Sequence, residues 1–207
     1  FLEKDFIILE DCVQSIYSLQ NRKGKASFTS LRKWLELDLA LLIGDFTTTN
    51  YTAESSSYLA LSKQSRQMKK EWLNGAQLDE NLIMETHLSA ESSSRSNVIY
   101  FQDITLAHKY DWHKILVRRK ENASLLRHLI ANLQLHILES SELFVMIELK
   151  NRDYVREKLR LSQIFAPVHW INSLDAHKSK SILSLPIDQR YSTTDMTRIA
   201  DTIKRWI

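Results

Sequence analysis

The sequence predicts an α/β protein in two parts, with buried strands and long helices first and a small α/β layer after them. Three observations predict it. Short apolar runs at 6–9 and 39–43 have the length of strands. Apolar residues at steps of three, four and seven mark an amphipathic helix at 115–133. After that helix, short strand-like and helix-like segments alternate, which favours a layered α/β arrangement.

In the first part, the runs at 6–9 and 39–43 contain almost only apolar residues, so we predict strands that are buried on both faces. Gly44 and Asp45 close the second run. Two stretches rich in Ser and Thr, 47–57 and 89–97, are predicted as loops. Between them, good helix formers predict a helix over 59–88.

In the second part, Thr193 or Thr194 is predicted to cap the last helix, with Asp195 near its positive end. The remaining elements follow from periodicity and length. They are a strand at 143–149, a helix at 153–161, an extended segment at 164–170, a strand at 182–185 and a closing helix at 193–206. We divide the chain into residues 1–112 and 113–207.

Composition narrows the functional classes. The 207 residues carry a net charge of +3 without a long basic block, so nucleic acid binding is not indicated. No apolar run approaches the ~20 residues of a membrane span. The single cysteine, Cys12, excludes an internal disulfide and suits packing in a reducing compartment. We expect a cytoplasmic protein, with no metal-ligand cluster and no complete Gly-rich phosphate loop.

Polar residues follow the first apolar run and gather again before the second. Asp11 needs a cationic partner where a buried strand ends, and Lys33 stands twenty-two residues later, after Ser27 and Ser30. Pyridoxal phosphate (PLP) requires a lysine amine, a carboxylate near its ring nitrogen and donors for its phosphate. An amide such as Gln14 suits its ring hydroxyl. The spacing alone leaves purely structural roles open.

Five segments, in order along the chain, resemble the DegT/DnrJ-type sugar aminotransferases, a branch of the fold-type I PLP enzymes. The stretch "IILEDCVQS" resembles their carboxylate segment, and "SFTSLRKWLELDLALLIG" resembles their lysine segment. The long helix "RRKENASLLRHLI" carries an R-x-x-N element in Arg119 and Asn122. The stretches "FAPVHW" and "LSLPIDQRYSTTDMTRIADTIKRW" resemble the end of their small domain.

The resemblance implies roles for five residues. Asp11 would pair with the pyridine nitrogen, and Gln14 would contact the ring oxygen or pack against the back of the ring. Lys33 would hold PLP as a Schiff base and carry the proton in transamination. Ser30, which we favour, or Ser27 would donate to the phosphate.

The resemblance also implies a fold and an activity. The expected fold is the C-terminal part of a fold-type I large domain followed by a small α/β domain, since the phosphate loop and the ring-stacking aromatic that such enzymes carry before the carboxylate strand are not visible in these 207 residues. The activity is transfer of an amino group from an amino acid such as glutamate to a keto-sugar nucleotide, in a homodimer, for cell-surface polysaccharide or secondary-metabolite sugars. The alternatives are a remnant or regulatory domain without catalysis, a PLP enzyme of another type such as a dehydratase, and an unrelated α/β binding module.

Three further features have open interpretations. His169 is a candidate for substrate contact, or it packs beside Trp170. Asp188 and Arg190, in "PIDQRY", are predicted to pair in a turn. The family usually has a glycine pair after the lysine, where this chain has Leu39 and Ala40.

Overall fold

The structure is a computed structural model that describes residues 7–16, 21, 23–35, 37, 39–44, 56–93, 105, 107–138, 141–169 and 180–207. The chain forms two compact units. One comprises Phe1–Asp45 together with Gln102–Ile207, and the other comprises Phe46–Phe101. These two units do not test the predicted division into residues 1–112 and 113–207, which stays a prediction.

The first sheet has three strands in chain order: β1 (Leu9–Asp11), β2 (Ala26–Ser30) and β3 (Ala40–Gly44). β1 runs parallel to β2, and β2 runs antiparallel to β3. Gly24 lies in the connection before β2, where an added Cβ would stand 2.6 Å from the carbonyl oxygen of Ile8. This close approach of two backbone segments explains why glycine occupies the turn.

Both predicted strands of the first part form, but the prediction that they are buried on both faces is wrong, because Leu39 is the one buried residue among those described in the two runs. Ile7 is 73% exposed, Leu9 63% and Leu42 57%. An apolar run predicts a strand but does not reveal which neighbours cover it. Among the described residues, β1 and β3 each pair with β2 and with no other strand. The first strand also starts later than predicted, and Asp11 is its last residue.

The chain after β2 enters a 3-10 turn, Leu31–Lys33, and then builds a small apolar cluster that we call the first core. Leu31 and Trp34 are almost fully buried in it. Its members are Leu31, Trp34, Leu35, Leu37, Leu39, Ala107 and Leu143. The first core therefore lies directly beside Lys33 in sequence and in space.

The unit of residues 46–101 contains two helices, α1 (Ser56–Leu73) and α2 (Glu80–Ser93). The prediction of one continuous helix at 59–88 is therefore wrong, because two separate helices cover this range. Gly75 has φ +94, in the left-handed region that ends helices and favours glycine. This backbone conformation separates the two helices.

The two predicted Ser/Thr-rich loops are also affected by these helices. Residues 89–93 belong to α2 and not to a loop, and residues 56–57 belong to α1. The rest of both predicted loops, 47–55 and 94–97, lies outside the described residues.

The long helix of the second part is confirmed as α3 (Trp112–Ile130), which begins three residues earlier than predicted. Asp111 caps it, because its side chain accepts a hydrogen bond of 2.9 Å from the backbone nitrogen of Lys114. A 3-10 turn, Ala131–Leu133, completes the predicted range.

The small α/β layer is also confirmed. Its strands β4 (Phe144–Glu148) and β5 (Ile182–Pro186) pair antiparallel, and helices α4 (Arg152–Leu161) and α5 (Thr193–Trp206) join α3 around them. We call the apolar cluster of this layer the second core. Its most buried members include Leu126, Ile130, Val145, Ile147, Val155, Leu159, Leu183, Leu185, Met196, Ala200 and Ile203.

Helix α5 has the predicted bounds, but the predicted cap is wrong by one residue. Ser192, and not Thr193 or Thr194, is the N-cap. Its hydroxyl accepts from the backbone nitrogen of Asp195, and the Asp195 carboxylate accepts from the backbone nitrogen of Ser192 at 2.8 Å. This reciprocal capping box explains why the carboxylate stands near the positive end of the helix.

Candidate functional site

Asp11 and Lys33 lie at or just after the carboxyl ends of neighbouring parallel strands of the first sheet. Parallel strands have their carboxyl ends at the same edge, and β1 ends at Asp11 while β2 leads through Ser30 into the turn that carries Lys33. In α/β sheets this edge is the usual location of ligand sites. The topology therefore brings Asp11 and Lys33 to the same end of the molecule.

The Lys33 amine has an altered acid–base character. Burial lowers the pKa of Lys33, the neighbouring charge of Arg32 lowers it further, and the carboxylate of Asp11 acts in the opposite direction. A lowered pKa increases the share of neutral amine, which is the nucleophilic form. The influence of Asp11 also shows that the two predicted catalytic groups lie within electrostatic range of each other.

The Lys33 side chain lines a cavity of about 490 Å³. Residues 164–167, the strand end at Pro186 and the segment around Asp188 form further parts of its wall. His169 lies there too, with its ring centroid 5.2 Å from that of Phe144. Burial lowers the pKa of His169, and so does the positive charge of Lys33. The structure thus places His169 beside the lysine, while Trp170 lies outside the described residues.

Two side chains fasten the backbone at Lys33 to the second part of the chain. Arg119 on α3 donates to the carbonyl oxygen of Lys33 at 3.2 Å and lies 4.7 Å from the ring centroid of Trp34. Gln189 donates to the carbonyl oxygen of Trp34 at 2.6 Å and accepts from Arg119, also at 2.6 Å. We call this arrangement the backbone tether.

Asp188 holds the tether in place by binding Arg119. Its carboxylate accepts from Arg119 at 3.0 Å and from Arg190 at 2.8 and 3.1 Å. Asn122 donates to the carbonyl oxygen of the same residue at 2.8 Å. Burial alone would raise the pKa of Asp188, but hydrogen bonds from Arg190 and the charge of Arg119 outweigh it and lower the pKa. The predicted pairing of Asp188 with Arg190 is confirmed.

The predicted phosphate donors differ in accessibility. The Ser27 hydroxyl is fully buried and has no hydrogen-bond partner among the described residues. Ser30 is half-buried, stands at the start of the 3-10 turn and makes no capping hydrogen bond with its side chain. Its hydroxyl is therefore the more accessible one, in line with the preference for Ser30.

Gln14 lies half-buried in the turn that follows β1. The side chain of Glu142 accepts from the backbone nitrogen of Ile16 at 2.8 Å and holds this turn. Cys12 is buried, and burial raises the pKa of its thiol together with the charges of Glu10 and Asp11. A raised pKa keeps the thiol protonated, which suits the predicted packing role.

Three residues of the site were missed or undervalued by sequence reasoning. Gln189 and Glu142 act on the site through contacts with residues more than 120 positions away, at Trp34 and Ile16. No local pattern signals such contacts. Arg119 had a signal in the R-x-x-N element, but the element gave it no partner.

The residues at the sheet edge fit PLP in their chemistry. The amine of Lys33 has a lowered pKa, a carboxylate stands near it, and the Ser30 hydroxyl is accessible beside the same turn. Among the described residues, no group of three or more His, Cys, Asp or Glu side chains is arranged to hold a metal ion. No helix in the described ranges combines the length and apolarity needed to cross a membrane.

Comparison with known proteins gives a structural answer and no sequence match. No protein-family model matches the chain, and no curated protein matches it. Among solved structures, a DegT DnrJ EryC1 StrS aminotransferase from Brucella abortus matches with a TM-score of 0.52 and 15% identity, over 96% of this chain and 57% of that one.

A second solved structure agrees with the first. A Streptococcus pneumoniae protein described as a sugar aminotransferase, in its PMP form, matches with a TM-score of 0.54 and 13% identity, over 97% of this chain and 58% of that one. This chain thus spans less than two thirds of the length of either. Such a likeness shows the fold: the chain has the mixed α/β fold of part of a PLP-dependent transferase, as found in DegT-type sugar aminotransferases.

Proposed function

We propose that this chain carries the lysine half of a PLP-dependent aminotransferase site and acts on a keto-sugar nucleotide with an amino acid such as glutamate as donor. The observation that carries the proposal is the meeting of Lys33 and Asp11 at the carboxyl edge of two parallel strands, with the Lys33 pKa lowered. The fold shared with sugar aminotransferases supports the reaction class.

Each residue has a defined task in this proposal. Lys33 holds the cofactor through its amine and moves a proton at Nζ, which the lowered pKa favours at neutral pH. PLP, when bound, supplies the electron sink for transamination. Asp11 keeps a positive charge on the group it faces, Gln14 offers an amide to a ring oxygen, and Ser30 offers its hydroxyl to a phosphate.

The tether and His169 serve the same site. Arg119 and Gln189 bind backbone carbonyl oxygens, so they fix where the Lys33 side chain begins and leave its amine free to turn. His169 lies in the cavity near the amine and has a lowered pKa, so it is neutral at pH 7 and suited to contact a substrate hydroxyl. A homodimer in the cytoplasm, supplying sugars for surface polysaccharides or secondary metabolites, completes the proposal.

The first test traps the covalent link between PLP and the lysine that binds it. The chain is incubated with PLP, reduced with borohydride and mapped by mass spectrometry. We expect one dominant pyridoxyl adduct on Lys33, lost in Lys33→Arg and kept in Lys25→Arg, because Lys25 is exposed and outside the cavity. Adducts spread over surface lysines, or none, would contradict the catalytic proposal and favour a remnant domain.

A second measurement identifies the type of reaction. It uses unreduced protein that has bound PLP. Glutamate should convert the bound cofactor to its amino form, with release of one 2-oxoglutarate per site. Conversion of a hydroxy amino acid such as serine to pyruvate and ammonia, without conversion of the cofactor by glutamate, would favour the dehydratase alternative. Failure of both reactions, despite specific trapping at Lys33, would leave a cofactor-binding regulatory domain.

A further inference from the structure

The wall of the Lys33 cavity carries far more positive than negative charge. Among the described residues that line it, one is acidic, namely Asp188. The cationic ones are Arg32, Lys33, Arg119, Arg156, Arg160 and Arg190. Asp188 already binds Arg119 and Arg190 at 3.0 and 2.8 Å, so it does not neutralise the other members of the wall.

Two of these arginines are presented together by α4. Arg156 and Arg160 stand four residues apart and share a helix face, while Val155 and Leu159 are fully buried in the second core. Both arginines line the cavity, although their helix belongs to the small α/β layer. Arg32 reaches the same cavity from the turn that carries Lys33.

One of the pair is held in a fixed orientation. Glu157 accepts two hydrogen bonds of 2.9 Å from Arg160, which restrains the guanidinium plane. Besides the hydrogen bond from Arg160, the charge of Arg156 lowers the pKa of Glu157, but the Arg156 side chain makes no hydrogen bond or ion pair recorded among the described residues. The Glu157 carboxylate is therefore hydrogen-bonded to Arg160 and only within electrostatic range of Arg156.

Guanidinium groups bind phosphate oxygens with paired hydrogen bonds, and several of them are needed to hold a doubly charged group. We propose that Arg156 and Arg160, together with Arg32 of the same cavity wall, form a subsite for the phosphate or diphosphate end of a ligand whose reactive end reaches Lys33. The choice of ligand rests on the proposed function, whereas the binding itself requires no reaction at Lys33.

The test measures binding of anions to the unmodified 207-residue chain by calorimetry at low salt, without PLP. Inorganic pyrophosphate and uridine diphosphate are the probes. The double variant Arg156→Gln with Arg160→Gln should weaken both by about tenfold or more, since each lost charged hydrogen bond contributes to affinity. Both side chains are exposed, so the fold should survive, as a thermal unfolding scan will show.

A charge-matched control is available on α5. Arg198 and Arg205 are exposed and lie outside the cavity wall, so Arg198→Gln with Arg205→Gln removes the same net charge. This control should bind the probes as the wild type does. Equal weakening in both double variants, or no binding to the wild type at millimolar probe, would overturn the subsite.

A comparison of PLP with pyridoxal identifies the source of the phosphate. If the α4 variant loses affinity for PLP and not for pyridoxal, the subsite binds the cofactor phosphate. If PLP binding is unchanged while diphosphate binding falls, it binds the substrate. Diphosphate binding that depends on Arg156 and Arg160, in a chain that forms no adduct at Lys33, would support the subsite and contradict the aminotransferase proposal.

Discussion

The two sheets of this chain share one compact unit but differ in how they are covered. Every residue of β5 is buried, and three helices enclose the second core. In the first sheet β3 has no buried residue, and β1 exposes two of its three residues. The sheet that carries the proposed ligand-binding groups is thus the less covered of the two, and the backbone tether connects the turn after β2 to the well-packed layer.

The largest difference between the two sheets should appear in core truncations. Leu185→Ala in β5 should lower the free energy of unfolding by about 2–5 kcal/mol, because Leu185 is fully buried. The matched change Leu42→Ala in β3, at a site 57% exposed, should cost about 0.5 kcal/mol or less. Urea unfolding followed by circular dichroism measures both.

The comparison would break if Leu42→Ala destabilised the protein as much as Leu185→Ala. That result would mean that the exposed face of the first sheet is covered in solution. Repeating the measurement over a range of protein concentrations would show whether a second copy provides the cover.

A smaller effect is expected at the tether. Arg119→Lys keeps the charge but loses the fork that joins Lys33, Asp188 and Gln189, so we expect a loss of about 2 kcal/mol. Amide hydrogen exchange should accelerate at residues 31–35 and remain slow in β5. The control Arg127→Lys, at an exposed position of the same helix, should change neither quantity measurably.

Equal acceleration of exchange in β5 and in residues 31–35 would contradict the tether as a connection. Arg119 would then stabilise the second core in general, and Lys33 would have no special dependence on it.

The smallest effect concerns pH. The folded-state pKa of Asp188 is lowered, so its contribution to stability is present above the unfolded pKa of about 3.9 and is lost as pH falls through the folded value. Arg190→Gln removes part of this lowering. The stability advantage of the wild type should therefore be about 1 kcal/mol or less near pH 6 and shrink as pH falls below about 4.

Urea midpoints measured across this pH range check the prediction. A wild-type advantage that grows on acidification would contradict it, because it would require the Asp188 carboxyl to be held in its protonated form.

The elements of the small α/β layer were predictable because their signals are local. Helix α4 alternates charged residues with Val155 and Leu159, and α5 repeats Met196, Ile199 and Ile203 on one face. The first sheet was predictable only as strands. Its exposure depends on which chain segments neighbour β1 and β3, and an apolar run does not contain that information.

The residues of the candidate site also fall into those that the sequence could predict and those that it could not. Asp11 and Lys33 were found because residues with these chemical properties follow predicted strands, and a family resemblance gave them roles that remain predictions. Gln189 was missed because it reaches Trp34 across 155 positions. Arg156 and Arg160 of α4 have no local sequence signal for a binding role, since only the folded chain brings them to the wall of the Lys33 cavity.

The backbone tether also affects how related proteins with another residue at position 33 would look. It grips main-chain oxygens at positions 33 and 34, so it is indifferent to the side chain at position 33. A lineage that exchanged this lysine for another residue would keep the same local shape and the same structural neighbours. Overall structural resemblance therefore discriminates poorly between active and inactive members of such a family, whereas under the proposed function the side chain at position 33 distinguishes them.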